Sequence, residues 1–294
     1  MTSLQHKIDF ALIISVKNAN PNGDPLDGNR PRVTYEGLGE ISDVCLKRKL
    51  RDRLQEGGFD IFVQSDDRRN DDFPHLKARA EALLGQSLYD NKEKKKNTEK
   101  ACAKWFDVRA FGQLFAYENK GKGKKNKDSD EDSSKSGDGV SIPIRGPLTI
   151  QSAFSVKPIS IASNQIVKSV NNDEKEGKEG KKSSDTMGMK HRVENEAFYV
   201  TYGSINPQLA KRTGFSDDDA EAIKAILPKL FENDASSARP EGSMAVLWVF
   251  WWKHNCKSGQ YSSARVHRSL HVNPDGTYTL DKLDGLKPDE LEGF

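Results

Sequence analysis

The sequence predicts an α+β fold, because strand-like and helix-like segments alternate along its 294 residues. Residues 7–17 (KIDFALIISVK) place apolar side chains at every second position, which is the period of a strand packed against a core. A helix is predicted to begin after the N-cap residue Ser42 and to run to about Gln55. Residues 244–252 (MAVLWVFWW) are apolar on both faces, as in a central strand that is covered on both sides.

The first strand is followed by a polar loop and a basic helix. Residues 18–32 (NANPNGDPLDGNRPR) hold three prolines, two glycines and four asparagines, so they predict a shaped, turn-rich loop. The helix buries Leu46, Leu50 and Leu54 on one face, carries Lys and Arg on the others, and is predicted to stop at the glycine pair that begins at Gly57. A strand, a polar loop and a basic helix together predict a site for a polyanion.

The remaining elements complete the predicted sheet. Apolar periods, caps and stops predict a short strand at 59–63, a helix at 74–85, strands around a bend at 146–147 within 140–158, a strand at 195–205, a helix at 216–231 and a strand at 264–272. Pro228 is expected to kink or shorten the second long helix. The elements read strand, helix, strand, then strand, helix, strand. This order predicts a ferredoxin-like sheet of the split βαβ kind, on which many RNA-recognition modules are built.

Composition favours a soluble, intracellular protein. Three scattered cysteines without a CxxC pair predict reduced thiols, and the longest apolar run is far shorter than the roughly 20 residues of a membrane-spanning helix. The net charge of +2 excludes no partner, since local clusters of Lys and Arg create a binding face. We therefore expect a cytoplasmic location and no membrane contact. Residues 118–139 and 171–184, rich in Lys, acidic residues, Gly and Ser, are predicted to be mobile surface insertions.

Sequence motifs of common enzyme classes are missing: there is no GxxxxGK[ST], GxGxxG, HExxH or GxSxG. His267 and His271 are four residues apart, as two metal ligands on a helix would be, but the pattern around them predicts a strand. A structural or RNA-facing role is therefore favoured over a metal site. His254 and Cys256 are expected to be loop residues rather than ligands. We predict no catalytic residue, no metal and no cofactor.

Asp24 and Asp27 keep a catalytic alternative open. An aspartate in a glycine-rich loop beside bound RNA could position a metal or activate a 2′-hydroxyl group. Asp-Pro and Asp-Gly pairs also make ordinary turns, and no partner acid or histidine is near in the sequence. The turn is the favoured interpretation, and a metal-dependent endoribonuclease is the alternative.

The residues that indicate binding are more numerous. Asparagines and glycines of the 18–32 loop can expose amides and backbone N–H groups to phosphates and sugars. Lys47, Arg48 and Arg51 can flank them on the helix, although an ordinary solvated helix face would have the same composition. Residues 91–100 (NKEKKKNTEK) allow the same two interpretations, a solvated helix surface or a nucleic-acid contact.

Five stretches, in this order, resemble one known family. They are NANPNGDP (18–25), RPRVTYEGLGEISDVCLKRKLRD (30–52), DVRAFGQ (107–113), IRGPLTIQSAFSVKP (144–158) and NEAFYVTYGSINP (195–207). Together they resemble the backbone subunit of the type I-C CRISPR surveillance complex (Cascade), a member of the repeat-associated RNA-binding (RAMP) superfamily. The two insertions match no motif of that family.

The resemblance implies the shape of a right hand. An RRM-like palm is expected from residues 1–57, 140–160 and 193–272, and a helical fingers and web region from 58–117. Residues 118–139 are a low-complexity insertion, 161–192 a β-hairpin thumb, and 273–294 a C-terminal tail. Several copies are expected to form a filament along one CRISPR RNA, with each thumb reaching over its neighbour and flipping out a guide base.

The resemblance also implies partners and binding residues. Target DNA is expected to pair with the guide, while cap, large and small subunits complete the complex. Related type III subunits cleave target RNA with a loop aspartate, whereas type I subunits are not known to do so. The residues expected to bind RNA are Asn18, Asn20, Asn22, Arg30, Arg32, Lys47, Arg48, Arg51, Arg109, Arg145, Gln151, Met187, Met189, Lys190, His191 and Arg192.

Met187 and Met189 give the most specific prediction. A methionine can wedge against an unstacked base while Lys190 and Arg192 hold neighbouring phosphates. The alternative is that both methionines cover a core edge. Three functions remain at this stage: a non-catalytic filament subunit, which is favoured, a metal-dependent ribonuclease of the same superfamily, and a solitary RNA-binding module.

Overall fold

The computed structural model describes residues 2–117, 140–167 and 186–294. Its helices in these ranges are α1 (Asp43–Glu56), α2 (Leu76–Leu84), α3 (Lys94–Lys104), α4 (Phe106–Phe111), α5 (Pro207–Thr213), α6 (Asp217–Ile226) and α7 (Ser263–Arg268). Its strands are β1 (Ile8–Lys17), β2 (Gly23–Asp24), β3 (Arg30–Pro31), β4 (Leu38–Ile41), β5 (Gly112–Tyr117), β6 (Val140–Arg145), β7 (Leu148–Ile150), β8 (Ala153–Pro158), β9 (Ile161–Val167), β10 (Thr186–Val193), β11 (Glu196–Ile205), β12 (Met244–Lys253), β13 (Leu270–Val272), β14 (Tyr278–Leu280) and β15 (Asp289–Glu292). No helix of the described ranges is long and apolar enough to cross a membrane. The predicted insertions at 118–139 and 171–184 lie outside these ranges.

One seven-stranded sheet organises the fold. Its order is β15-β12-β1-β11-β8-β4, and β7 also pairs with β11. All of these pairs are antiparallel. β1 lies between β11 and β12, with Ile8 opposite both Ile205 and Lys253. The predictions of a core strand at 7–17, a strand at 195–205 and a central strand at 244–252 are confirmed.

Two helices cover one face of this sheet. α1 and α6 pack there, where Leu46 and Ile223 join Phe10 of β1 in the largest core. The Ser42 hydroxyl accepts a hydrogen bond from the backbone N–H of Cys45 and caps α1, as the sequence predicted. α6 ends at Ile226, and a 3₁₀ turn over Leu227–Lys229 follows, so Pro228 shortens the helix as expected.

The C-terminal segment, residues 254–294, covers the opposite face of the sheet. Ala11 and Phe250 of the sheet are buried against Val266, Leu270 and Leu286. Residues 273–294, predicted as a tail outside the palm, also supply the edge strand β15, which pairs with β12. This face of the sheet is therefore filled by the protein's own chain.

A second core lies in the region predicted as fingers and web. Phe62, Trp105 and Phe115 pack together there with centroid distances of 4.7 and 5.1 Å from Phe62 to the other two rings. β5 pairs with β6, so residues 140–145, predicted as palm, form a hairpin with the last strand of the region predicted as fingers and web. The predicted helix at 74–85 is α2, ending at Gly85.

Two predicted strands are wrong. Residues 59–63 form no strand, because the N–H groups of Phe62 and Val63 donate to the carboxylate of Asp107 instead of a neighbouring strand. Residues 264–272 form α7 followed by the three-residue strand β13. The Ser262 hydroxyl caps α7, and the spacing from Val266 to Leu270 also fits one face of a helix.

Candidate nucleic-acid interface

Three chain connections meet at one end of the central sheet. Lys17 at the end of β1 pairs with Glu196 at the start of β11, and Val16 pairs with Met244 at the start of β12. Because these pairs are antiparallel, the segments 18–32, 186–195 and 231–243 emerge side by side. We call these three segments the loop junction.

Backbone hydrogen bonds hold the loop junction together. Asn18 donates its N–H to the carbonyl of Asn195, and Val193 donates to the carbonyl of Ala19, at 2.9 and 2.8 Å. Asn20 donates its N–H to the carbonyl of Ala238 at 2.9 Å. The loop after β1 is thus tied to both of its neighbours and has a defined shape.

The loop asparagines predicted to bind RNA shape the loop itself. Asn20 is only 2% exposed, and its amide donates to the carbonyl of Asn29 at 2.7 Å. The Asn22 side-chain oxygen accepts from the backbone N–H and the hydroxyl of Ser42 at 2.9 and 2.8 Å. Asn18 has a positive φ of 52°, a conformation that asparagine tolerates better than most residues. Burial removes the Asn20 side chain from the surface, so it does not present an amide there.

Arg30 and Arg32 are the accessible cations of this loop. Their side chains are 42% and 33% exposed. The nearest carboxylates are distant for ion pairs: Asp27 lies 3.8 Å from Arg30 and Asp24 lies 3.5 Å from Arg32. Exposed pairs of this kind contribute little to stability, so both guanidinium groups can exchange partners with a ligand at low cost.

Asp24 already has structural partners. Its carboxylate accepts from the backbone N–H of Leu26 at 3.1 Å and caps the 3₁₀ turn Pro25–Asp27. In the described ranges, no group of three His, Cys, Asp or Glu side chains is placed to hold a metal ion. These contacts fit the turn interpretation of the sequence.

The three predicted cations of α1 each have a carboxylate partner within the chain. Lys47 pairs with Asp43 at 2.8 Å, and Arg48 bonds Asp52 at 3.0 Å and the carbonyl of Val63 at 2.8 Å. For Arg48, burial lowers the pKa of the guanidinium, which its neighbour Asp52 partly offsets. That these cations contact RNA stays a prediction, but the structure gives them local roles.

Arg51 ties α1 to α4. Its Nε donates to the buried carboxylate of Asp107 at 2.9 Å, and its guanidinium lies 5.0 Å from the ring centroid of Phe111. This contact is internal to the protein, so the role of Arg51 in the structure is to join two parts of the chain.

Arg109, Arg145 and Gln151 lie in different surroundings. Arg109 forms a two-point ion pair with Asp219 at 2.7 and 3.1 Å, so it joins α4 to α6. Arg145 is exposed at the end of β6. The side chain of Gln151 is exposed, while its backbone bonds Tyr202 and Thr201 at 2.8 and 2.7 Å. Of these three, Arg145 and Gln151 are exposed, and their side chains have no partner among the residues that the structure describes.

The predicted thumb is a β-hairpin at its described base. β9 and β10 pair with each other and not with the main sheet, and β10 packs beside β3 of the loop. Residues 168–185 lie outside the described ranges. Met187 and Met189 are 64% and 52% exposed, and the insertion that the core-edge alternative places above them lies outside the described ranges, so both interpretations stay predictions.

The basic residues of β10 alternate with its other side chains. Lys190 and Arg192 occupy one set of positions, and Met189 and His191 occupy the other. The ring of His191 lies 2.8 Å from the hydroxyl of Ser163 on β9. The hairpin therefore carries apolar and cationic groups on opposite faces, next to the loop.

Sequence reasoning missed the third segment of the loop junction. Asp234 in the connection before β12 pairs with Lys49 of α1, and with Arg239 Nε at 3.2 Å. Burial raises the pKa of the nearby Cys45 thiol, although Lys49, Arg239 and Arg32 all lie close enough to oppose the rise. The antiparallel pairing of residues 7–17 with 244–252 would have placed this segment beside the loop, had that pairing been used.

The histidines considered as metal ligands lie at the far end of the sheet. His254 bonds the buried Asp9 at 2.9 Å, and its other ring nitrogen accepts from the backbone N–H of Gln260. The ring of His267 stacks on Tyr202, and burial lowers the pKa of His267. His254 lies in the loop after β12, as predicted, and there it is buried and fixes the C-terminal segment to β1.

Comparisons with known proteins place the chain in a family. A family model described as CRISPR-associated protein Cas7 matches residues 6–287. The chain is 25% identical over 295 positions to the CRISPR-associated protein Cas7 of Haloferax volcanii, and the match covers 99% of this chain and 82% of that protein.

Two solved structures are also similar. A chain of a CRISPR RNA-guided surveillance complex in a pre-nicking state has 17% identity and a TM-score of 0.46, covering 87% of this chain and 81% of its own. A chain of a second CRISPR RNA-guided surveillance complex has 16% identity and a TM-score of 0.41, with 92% and 77% covered. Because the family model spans nearly the whole sequence, this chain belongs to the CRISPR-associated Cas7 family.

Proposed function

We propose that this chain is the CRISPR RNA-binding backbone subunit of a type I-C surveillance complex, several copies of which line one guide RNA. Family membership supports the proposal. The observation that carries it is the loop junction, where the partly exposed Arg30 and Arg32 lie beside a hairpin with two exposed methionines. Cations for phosphates and apolar wedges for bases are the groups that single-stranded RNA requires.

The central strands support an RRM-like palm. In chain order, β1, α1, β8, β11, α6 and β12 alternate as strand, helix, strand, strand, helix, strand, and their order in the sheet is β12-β1-β11-β8. This is the split βαβ arrangement. Both faces are occupied, one by α1 and α6 and the other by the C-terminal segment, so we place the RNA across the loop junction.

The guide would supply the sequence specificity. Arginine side chains and backbone groups recognise phosphate and sugar, whereas pairing of guide bases with target DNA reads sequence, as in another RNA-guided effector. Copies of the chain and the cap, large and small subunits would be its partners, in the cytoplasm and without membrane contact.

We propose no catalytic role for this subunit. Asp24, the strongest candidate, caps a turn and lies 3.5 Å from Arg32, contacts that explain its position without chemistry. Incubating RNA with the wild-type chain and with Asp24→Ala tests this point. Cleavage of the bound RNA by wild type that is abolished in Asp24→Ala would favour the ribonuclease alternative.

Neutralising the two loop arginines should weaken RNA binding and its salt dependence. In Arg30→Gln/Arg32→Gln, the slope of log K against log salt should become shallower by about 0.7 for each phosphate that the protein no longer neutralises, on a short single-stranded oligouridylate. The weakening should be similar for other unstructured RNA sequences, because phosphates carry no base identity. Fluorescence anisotropy at several salt concentrations measures the slope.

A matched variant removes two charges elsewhere. Lys253→Gln/Arg268→Gln changes exposed cations at the far end of β12 and on α7, away from the loop junction. We expect it to keep the wild-type slope. Equal slopes in both double variants would contradict the placement of RNA at the junction, and absence of RNA binding by the wild-type chain would overturn the proposed function.

Removing the two exposed methionines should disturb the RNA and leave the fold intact. Removing the side chain on which a base stacks costs about 1–3 kcal/mol, and this cost repeats in each subunit along the guide. In assemblies containing Met187→Ala/Met189→Ala, chemical probing should therefore show a less regular pattern of reactive guide bases. The melting temperature should stay unchanged, because both side chains are more than half exposed.

Leu114→Ala is the control, since Leu114 is a similarly exposed apolar residue on β5 of the fingers. It should leave the probing pattern regular. A regular pattern in the methionine variant as well would refute the wedge.

A further inference from the structure

The connection between α6 and β12 forms one wall of the loop junction. Lys17 donates its N–H to the carbonyl of Ser243 at 2.8 Å, and Asn20 donates to Ala238 at 2.9 Å. These two bonds fix residues 231–243 alongside the loop that carries Arg30 and Arg32. A polymer that crosses the loop at this end of the sheet would meet this segment next.

Arg239 is the cation that this wall presents. Its Nε bonds Asp234 at 3.2 Å, and its side chain is one-quarter exposed. Asp234 has a second partner in the buried amine of Lys49, so it does not depend on Arg239 alone for charge compensation. Among the described residues, the terminal nitrogens of Arg239 have no hydrogen-bond partner, and they are the donors that suit a phosphate.

Three buried polar atoms of the loop junction are unsatisfied. Asn20 Oδ1, Arg32 Nε and Ser243 Oγ are buried and have no hydrogen-bond partner within the described part of the chain. Buried polar atoms are normally paired, and an atom without a partner is expected where a water or a ligand completes its hydrogen bonds. All three belong to the two segments that face each other across the junction.

A small cleft adjoins Ser243. Asp234, Arg239 and Ser243 contribute to its lining. Glu241 also lines it, and this exposed carboxylate has no ion-pair partner among the described residues. The cleft thus carries the positive charge of Arg239 and the negative charges of Asp234 and Glu241, of which Asp234 is compensated by Lys49 and Arg239. Removing the charge of Arg239 should weaken the binding of a phosphate here, and removing that of Glu241 should strengthen it.

We infer that Arg239 binds a phosphate of the RNA and that residues 231–243 form the second wall of a groove whose first wall is the 18–32 loop. The inference rests on the proposed function, because it names a further contact for the same RNA. It differs from a structural role for Arg239, which would need only the bond from Nε to Asp234.

Three variants test this contact on the full chain with a short labelled oligouridylate. Arg239→Gln should make the slope of log K against log salt shallower by about 0.7, the value for one phosphate on a single strand. Arg239→Lys keeps the positive charge and should retain most of the slope. Glu241→Gln removes a repulsive charge without removing a described partner, so it should bind RNA more tightly at low salt and converge with wild type at high salt.

The control is Arg268→Gln, which removes one exposed cation from α7. A slope in Arg239→Gln equal to that of Arg268→Gln, with RNA affinity unchanged in Glu241→Gln, would overturn the inference. A melting temperature lowered in both Arg239 variants, with unchanged slopes, would assign Arg239 to structure alone and also overturn it. The proposed function predicts that the unaltered chain binds RNA whether or not Arg239 contacts it. If the wild-type chain binds RNA, then either of these results overturns the inference about Arg239 and leaves the proposed function standing.

Discussion

Replacing Asp107 by alanine is expected to lower the free energy of unfolding by about 3–5 kcal/mol, because the change leaves a largely buried arginine without its carboxylate. Asp107 is 1% exposed and accepts three hydrogen bonds, from Arg51 Nε and from the N–H groups of Phe62 and Val63, at 2.7 to 3.0 Å. One side chain thus joins α1, the 59–63 segment and α4. The melting temperature should fall by roughly 10 °C in a thermal scan.

Asp60→Ala is the matched control for this change. Asp60 pairs with Lys104 at 2.9 Å, but both side chains are about half exposed, and such a pair contributes at most about 1 kcal/mol. We expect its melting temperature to stay within a few degrees of wild type. If Asp107→Ala melts like Asp60→Ala, then Asp107 does not hold α1, the 59–63 segment and α4 together.

Sequence patterns predicted correctly those strands and helices whose signals lie within a few residues of one another. The alternation in residues 7–17 and 195–205 identified β1 and β11, and Ser42 and Pro228 marked the start of α1 and the end of α6. In each case a period of two, a cap or a missing N–H acts within a few residues. These signals are present in the sequence without knowledge of the partners.

The error at residues 264–272 shows where local patterns become ambiguous. Val266 and Leu270 fit one face of a strand and one face of a helix equally well. The hydroxyl of Ser262 stabilises the helix by accepting a hydrogen bond from the backbone N–H of Arg265 at 3.3 Å. A pattern argument that weighed the cap first would have found α7.

The partners of the candidate site could not be predicted because they are distant along the chain. Arg51 pairs with Asp107, which is 56 positions away in the sequence, and Lys49 pairs with Asp234, which is 185 positions away. The composition of α1 indicated a basic face for RNA, yet folding supplies carboxylates to several of those cations. Arg30 and Arg32 keep long, exposed pairs, so they remain the strongest predicted contacts.

Replacing Asp9 by asparagine should also destabilise the fold by about 3–5 kcal/mol at neutral pH, because a fully buried carboxylate loses its charge beside its cationic partner. Lys7 lies 3.0 Å and His254 lies 2.9 Å from the same oxygen of Asp9. His254 in turn accepts the N–H of Gln260, so the change loosens the attachment of the C-terminal segment to β1. Urea unfolding measures the loss of stability.

Asp281→Asn gives the comparison for an exposed site. Asp281 pairs with His271 at 3.0 Å, the same residue types at nearly the same distance, but both side chains are more than half exposed. We expect a change of less than about 1 kcal/mol. Similar losses of stability in Asp281→Asn and Asp9→Asn would show that the burial of Asp9 contributes nothing.

The destabilisation in Asp9→Asn should depend on pH in one direction. Burial raises the pKa of Asp9, but the hydrogen bonds from His254 and Lys7 and the charge of Lys7 outweigh burial, so its pKa lies below the ordinary 3.8. A carboxyl group with a lowered pKa in the folded state stabilises the fold above its unfolded pKa, and this stabilisation disappears as the pH falls through the folded pKa. The difference in unfolding free energy between wild type and Asp9→Asn should therefore be full near neutral pH and shrink below about pH 4. A difference that stays constant down to about pH 3 would mean that the carboxylate charge of Asp9 does not hold the C-terminal segment in place.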